Sequence, residues 1–381
     1  MRPLPTVLHS EKLFRLALVP CFVVLFGLTC YGSYWSYLVN HNFNMGDWYI
    51  NYQGGFVRRG FIGEVLFQLA QLTGLTPGHW VMVAHLVFYG LYMGASCRLL
   101  MCSSHLLAYS FLVISPVVFT FQLHGVEGGY RKEIMGLAFL ALAVVCSQRD
   151  DATFKKYFGA LMLLYPLAIL SHELLAVFVP LLLALYFIRQ VSKPIDWLYL
   201  CGITTPSVLA FLASCIYMGN EQQIAAIYAS LGEHAPQKGA IYGLIADTGE
   251  SFQRTWHKIL HKDQKNHYFI GLALASLGFI PLRARVTYLF KRPWICLCLL
   301  GSYAMTFPLF LVGTDWGRFI YLQVSALFLL SLAVPAEVGN RLPAWLETWK
   351  QGKITSWLFA ALLLLLLYLY GSQWELRHCC L

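Results

Sequence analysis

The sequence predicts an all-α, polytopic membrane protein, and three observations carry that expectation. Hydrophobic residues fill 58% of the 381 positions and charged residues only 12%, far outside the range of soluble globular domains. Apolar runs of about 16 to 24 residues recur along the chain, each long enough to cross or nearly cross a hydrocarbon core of about 30 Å as a helix. Continuous runs such as Leu362 to Leu367 exclude a strand barrel, whose segments would alternate.

Taken in order, the runs predict about eleven transmembrane helices, near 16–39, 79–100, 105–122, 133–147, 157–172, 174–189, 197–218, 268–284, 293–312, 319–335 and 355–371. The first follows Arg2, Lys12 and Arg15, is too long for a secretion-signal core and lacks a clear small-x-small cleavage site. It is read as an uncleaved crossing. With the N-terminus inside, Arg98, Arg149, Lys155, Lys156, Arg189, Lys193, Arg283, Arg285, Lys291, Arg292, Arg341, Lys350 and Lys353 share the inner side. That is the positive-inside pattern. Loop 40–78, turn 122–132, junction 172–173, segment 219–267 and turn 313–318 then share the outer side.

After the first crossing, Glu64, Gln68 and Gln71 stand at i, i+4 and i+7, with Phe61, Ile62, Val65, Leu66, Leu69 and Leu72 around them. This pattern predicts an interfacial amphipathic helix. Residues 1–381 read as a single polytopic domain with outer loops 40–78 and 219–267, the second long enough to cover or gate a site. Most of the 11 cysteines fall inside apolar runs and form no readable disulfide framework, while Cys379 and Cys380 read as a frayed tail or as lipidated or paired thiols. The net charge of +9 comes without a basic stripe on a soluble domain, so nucleic acid is excluded as a partner.

Ionisable groups near hydrocarbon are costly, and clustered ones are functional-site candidates. Four islands collect them on the outer side: Asp47 with Arg58 and Arg59, Glu127 with Arg131, Lys132 and Glu133, His172 with Glu173, and Asp315 with Arg318. The outer basic residues defy the charge rule in short loops, which points to an anionic ligand. Asp47 reads as a general base partly desolvated at the boundary, or as a helix cap or a partner of Arg58. Adjacent Arg58 and Arg59 suit bidentate bonds to phosphate oxygens, or anchor the interfacial helix on headgroups.

The glycine-rich turn 125–133 joins Glu127, Arg131 and Lys132 just before a helix start, an anion site or a tight turn with Glu133 in the first helical turn. His172 and Glu173 form an acid–base pair or a packed ion pair. They are not a zincin motif, because no second histidine follows. In the last turn, Trp316 stacking and Asp315 hydrogen bonds would recognise a sugar, or an Asp315–Arg318 pair simply closes the turn.

The polytopic architecture, the carboxylate Asp47 followed by an interfacial helix, the outer arginines and a large outer loop resemble membrane glycosyltransferases of the GT-C type and bacterial O-antigen or capsule polymerases. The resemblance covers the architecture of most of the chain and only short motifs. It implies a bacterial inner-membrane enzyme, N-terminus cytoplasmic, using a polyprenyl-diphosphate-linked sugar or oligosaccharide at the periplasmic face. Asp47 would be the base activating the acceptor, with His172 the competing base and Glu173 its partner. Arg58, Arg59 and Arg131 would hold the diphosphate.

The first loop has a single aspartate where many GT-C members carry paired acidic residues, which weakens a metal requirement. No cofactor is firmly implied, and a divalent metal is without support. Membrane lipids and other polysaccharide-assembly proteins are the remaining expected partners. Rival readings are a transporter or flippase for an anionic lipid-linked or small solute, and a non-catalytic assembly subunit.

Overall fold

The computed structural model describes residues 5–338, apart from 104–105, 114, 116, 125–127, 191–193, 238, 247, 262–271, 274 and 314. The expected crossing at 355–371, Cys379, Cys380 and Glu127 lie outside the described residues, as does most of the first half of 268–284. Among the described residues the chain is helical and contains no strand. Five helices are long and apolar enough to cross a membrane: Phe14–Leu38, Pro77–Met101, Trp197–Ile216, Pro293–Val312 and Trp316–Ala333.

The longer helices are α1 (Pro5–Leu38), α2 (Phe61–Thr73), α3 (Pro77–Met101), α4 (Ile134–Ser147), α5 (Asp151–Ser171), α6 (Phe178–Arg189), α7 (Trp197–Ile216), α8 (Glu221–Leu231), α9 (Thr248–His261), α10 (Arg283–Lys291), α11 (Pro293–Val312) and α12 (Trp316–Ala333). At the centre stands α4, apolar on every side and buried along nearly its whole length, as an all-round apolar helix must be. It packs against α3, α5, α6 and α12. Around this core, α1, α7 and α11 turn leucine, valine and aromatic side chains outward, Leu198 at 87% and Leu16 at 74% exposure. Such bare apolar surface suits contact with lipid.

Polar links at helix ends fix the directions of the helices. The Arg15 guanidinium donates from Nη1 to the Met101 carbonyl (2.8 Å) at one end of the α1–α3 pair, and Tyr37 OH meets His79 Nε2 (3.2 Å) at the other. The two helices are therefore antiparallel. Where α4, α5, α6 and α7 meet, Arg189 pairs with Asp151 (3.0 Å), and Lys155 with Asp196 (3.3 Å). Asp150 and Asp196 cap α5 and α7 by accepting from Thr153 N and Tyr199 N. Arg285 donates to the Ser331 and Val334 carbonyls at the C-terminus of α12 (3.0 and 2.9 Å). Arg15, Arg149, Arg189 and Arg285 thus gather at one set of helix ends, the basic end, and the residues of the four islands at the opposite set.

The expected helix at 105–122 is not one helix. The described parts are a 3-10 turn at Leu106–Tyr109 and short helical turns at Ser110–Val113 and Phe121–His124. Pro116 lies in this stretch, and a proline has no N–H for a helical ladder. Non-helical backbone at membrane depth is tolerated only when protein surrounds it and satisfies its carbonyls. Here Ser325 Oγ donates to Val117 O (3.2 Å), Tyr92 OH to Val118 O (3.1 Å) and Gln122 Nε2 to Phe119 O (2.9 Å). The 293–312 and 319–335 expectations correspond to α11 and α12, and α10 is a helix that the apolar runs do not announce.

Helix α2 forms where the amphipathic pattern predicts it. Its buried face is Gly63, Leu66, Phe67 and Ala70, and Gly74 ends it with a left-handed backbone. A Cβ at position 63 would collide with the carbonyl oxygens of Ile50 and Trp48, so glycine lets α2 lie directly on the preceding loop. Gly63→Ala is expected to destabilise the fold by about 1–3 kcal/mol, as overpacking does. Thermal unfolding in detergent checks this, and an unchanged melting temperature would contradict the packing of loop 48–50 on α2.

Candidate functional site

Four separate segments deliver charged side chains to one ring. The loop after α1 supplies Asp47, Arg58 and Arg59, the turn before α4 supplies Arg131, Lys132 and Glu133, the junction after α5 supplies His172 and Glu173, and the start of α12 supplies Asp315 at its cap and Arg318 in its first turn. Each segment is anchored by the helices beside it. Trp48 Nε1 donates to Tyr130 O (2.8 Å), Tyr130 N to Tyr89 OH (3.2 Å), and Tyr130 OH to Thr29 O (3.0 Å), which ties the turn before α4 to α1 and α3. Ile62 N donates to Ser171 Oγ (3.2 Å) and Tyr165 OH to Leu175 O (2.7 Å), which ties α2 to the end of α5 and braces the 172–173 junction.

The ring has a floor and a rim. Asp47 and Lys132 are fully buried and Glu133 nearly so, while Arg58, Glu173 and Asp315 keep 15%, 18% and 21% of their side chains exposed. On the rim, Arg59 Nε donates to both Glu173 oxygens (2.9 and 2.8 Å), its Nη2 contacts the same carboxylate, and Arg58 Nη1 lies 3.6 Å away. On the floor, Asp47 faces Arg131 Nε at 3.4 Å, and Lys132 gives its ammonium to the Arg59 carbonyl at 2.7 Å. Glu133 stands 3.0 Å from Arg318 and 3.6 Å from His172 Nε2, and Arg318 lies 3.5 Å from Asp315.

These contacts fix which of the expected side-chain pairs form. The Asp47–Arg58 pair does not form: Asp47 takes Arg131 and Arg58 takes Glu173. Glu133 makes no side-chain cap on α4; it turns into the ring, and its membership is what sequence reasoning missed, although it shares an island with Arg131 and Lys132. The Asp315–Arg318 pair is present. Trp316 gives its indole N–H to Phe310 O (2.9 Å) and packs edge-on against Phe310. Glu127 lies outside the described residues.

Segment 219–246 lies over the loop after α1. Arg58 Nη2 donates to the Gly243 and Leu244 carbonyls (3.2 and 3.1 Å), Gln223 Nε2 to Phe56 O (3.0 Å), and Asn51 Nδ2 to Ser230 Oγ (2.9 Å). The segment thus makes direct contact with a ring arginine.

Electrostatics assign protonation states. Leu174 N donates to His172 Nδ1 (3.1 Å), so the ring proton sits on Nε2, toward Glu133. Burial, reinforced by Arg59, pushes His172 down to about 4, so it is neutral at pH 7, accepting at Nδ1 and turning its Nε2–H toward Glu133. Burial would raise the carboxyl groups of Asp47 and Glu173. Arg131 and Lys132 outweigh it at Asp47, and Arg59 at Glu173, holding both well below the ordinary range. Glu133 is held down chiefly by Arg318 against its burial. Burial lowers Lys132 to about 8, opposed by Asp47 and helped by Arg59 and Arg131.

Asp47, Glu133 and His172 bring ligand atoms within 4.8 Å of one another, a set that could hold a metal ion. Arg59, Arg131, Lys132 and Arg318 already surround it with positive charge, which opposes a divalent cation and favours an anion. No protein-family model, curated protein or solved structure matches the chain.

Two outcomes follow from these states. A lysine titrating near 8 folded and near 10.4 unfolded binds fewer protons in the native state between those values, so its contribution makes stability rise with pH there. The stability of the wild type relative to Lys132→Met should grow between about pH 8 and 10 in thermal melts, and a flat difference would contradict the buried ammonium. EDTA is expected to leave the melting temperature unchanged; a fall restored by Mg²⁺ or Mn²⁺ would assign the Asp47 trio to a cation.

Proposed function

We propose that the chain is a membrane glycosyltransferase or polysaccharide polymerase that takes a polyprenyl-diphosphate-linked sugar or oligosaccharide at this ring. The observation that carries the reading is the convergence of five cations, Arg58, Arg59, Arg131, Lys132 and Arg318, on four carboxylates. Among the described residues one positive charge is left over, in a ring that runs from a partly exposed rim to a buried floor. Its position at helix ends supports surface chemistry over transport, whose binding groups belong near the bilayer midplane. The basic residues at the opposite ends support a cytoplasmic N-terminus in a bacterial inner membrane with the ring on the periplasmic side. The chain keeps, in this reading, the eleven crossings that the sequence predicts, the one at 105–122 being irregular, of which five described helices are long and apolar enough to span on their own. In α2, exposed Val65 and Leu72 beside Gln68 and Gln71 support a place in the interface.

In this reading the acceptor hydroxyl loses its proton to a floor carboxylate, Asp47, and attacks the anomeric carbon with inversion. The bond from that carbon to the diphosphate oxygen breaks, and the leaving polyprenyl diphosphate carries its new charge onto Arg58 and Arg59. Asp47 alone is too acidic to be an effective base. A bound diphosphate offsets the field of Arg131 and Lys132 and restores its basicity, so the substrate completes the site. His172, neutral and donating, steadies Glu133 and is not the base.

Purified protein should elongate a lipid-linked oligosaccharide in detergent. Arg59→Lys keeps the charge but loses the bidentate fork, and turnover should fall by about 100-fold with expression and membrane insertion intact. Wild-type turnover in that variant, or solute uptake without glycan elongation by the wild type, would overturn the reading.

A further inference from the structure

Two adjacent guanidinium groups converge on one carboxylate in this ring, with the backbone fixed behind them. Arg59 reaches Glu173 from a left-handed backbone, φ 67°, a conformation uncommon outside glycine. The Lys132 ammonium holds the carbonyl of the same residue at 2.7 Å. The amino group of Arg58 that does not face Glu173 is committed to Gly243 and Leu244. Paired forks in this pose are what a phosphate group needs, and Glu173 fills the place with a single negative charge.

The ring lies at the ends of helices able to cross a membrane, beside headgroups that are mostly monoanionic phosphodiesters. Empty arginines there would be filled by bulk lipid. A tethered carboxylate offers them the same single charge at a high effective concentration, so a monoanion gains little by displacing it. A diphosphate brings at least one further charge and more acceptor oxygens.

We propose that Glu173 is a tethered competitor: it occupies the Arg58 and Arg59 forks when no anion is bound and weakens every anion that must displace it by the same factor, so a weakly held phosphodiester headgroup no longer fills the seat while a more tightly held diphosphate still does. This rests on the reading of the ring as the seat of a diphosphate-linked lipid.

The test uses the full chain in a phosphate-free detergent, with inorganic pyrophosphate and dimethyl phosphate as probes in calorimetric titrations. Wild type should prefer pyrophosphate by about 100-fold or more; Glu173→Gln should bind both probes about 10-fold tighter and retain more co-purified phospholipid. Glu173→Asp, charged but too short for the same two-oxygen contact, should fall between them, and decides the matter if the glutamine variant does not fold. Affinities unchanged from wild type in a folded variant overturn the proposal alone. Failure of pyrophosphate to bind any of the proteins would remove the diphosphate seat, and the proposal with it.

Discussion

Lys132 buries its ammonium group completely and donates it to the carbonyl oxygen of Arg59. A buried charge costs several kcal/mol unless it is paired and hydrogen-bonded, and the arrangement of the ring follows from meeting that need. The carbonyl can face Lys132 because Arg59 adopts a left-handed backbone. Its guanidinium then reaches Glu173 across a sequence separation of 114 residues. Glu173 is available because the chain between α5 and α6 turns without a loop, braced by Tyr165 OH on Leu175 O. Asp47, beside Lys132 N, offsets part of the positive charge and is itself held ionised by Arg131. A change at any of these positions leaves another charge buried without its partner.

Much of the helical frame was legible from hydrophobic runs, because a helix in lipid has to be apolar over its whole length. Helices α1, α3, α7, α11 and α12 lie close to where their runs predict them. Segment 105–122 was not legible, since its apolarity reflects burial inside protein rather than a continuous helix, and periodicity cannot separate the two. Helix α10, with Arg283, Arg285 and Lys291, carries the reverse signal: its charges suggest a connector, whereas Arg285 is buried against the carbonyl end of α12.

The candidate site was legible as islands but not as pairs. Charge scarcity marks Asp47, Arg58, Arg59, Arg131, Lys132, His172, Glu173, Asp315 and Arg318, since each is expensive near hydrocarbon. Partner choice depends on which helix ends meet, and sequence spacing misleads there. Asp47 and Arg58 are near in sequence, yet each finds its partner elsewhere. Glu133 sits where a first-turn acid is ordinary, so nothing in the sequence separates a helix-dipole role from its place beside Arg318 and His172. The tautomer of His172 is likewise set by the Leu174 N–H, a backbone group that no motif records.

Arg58 joins the ring to the segment that covers it. One amino group faces Glu173 and the other donates to the Gly243 and Leu244 carbonyls, while its backbone N–H donates to Tyr217 O (2.9 Å) at the end of α7. In the proposed reading an anion that draws Arg58 toward the ring would act on residues 243–244, and loosening those residues would release Arg58 in return, because linkage between two equilibria is reciprocal. Arg59 has no such freedom, since Lys132 fixes its backbone and Glu173 its side chain. In the proposed reading the adjacent arginines divide the work: Arg59, held at backbone and side chain, is the fixed half of the seat, and Arg58 is the half joined to residues 243–244.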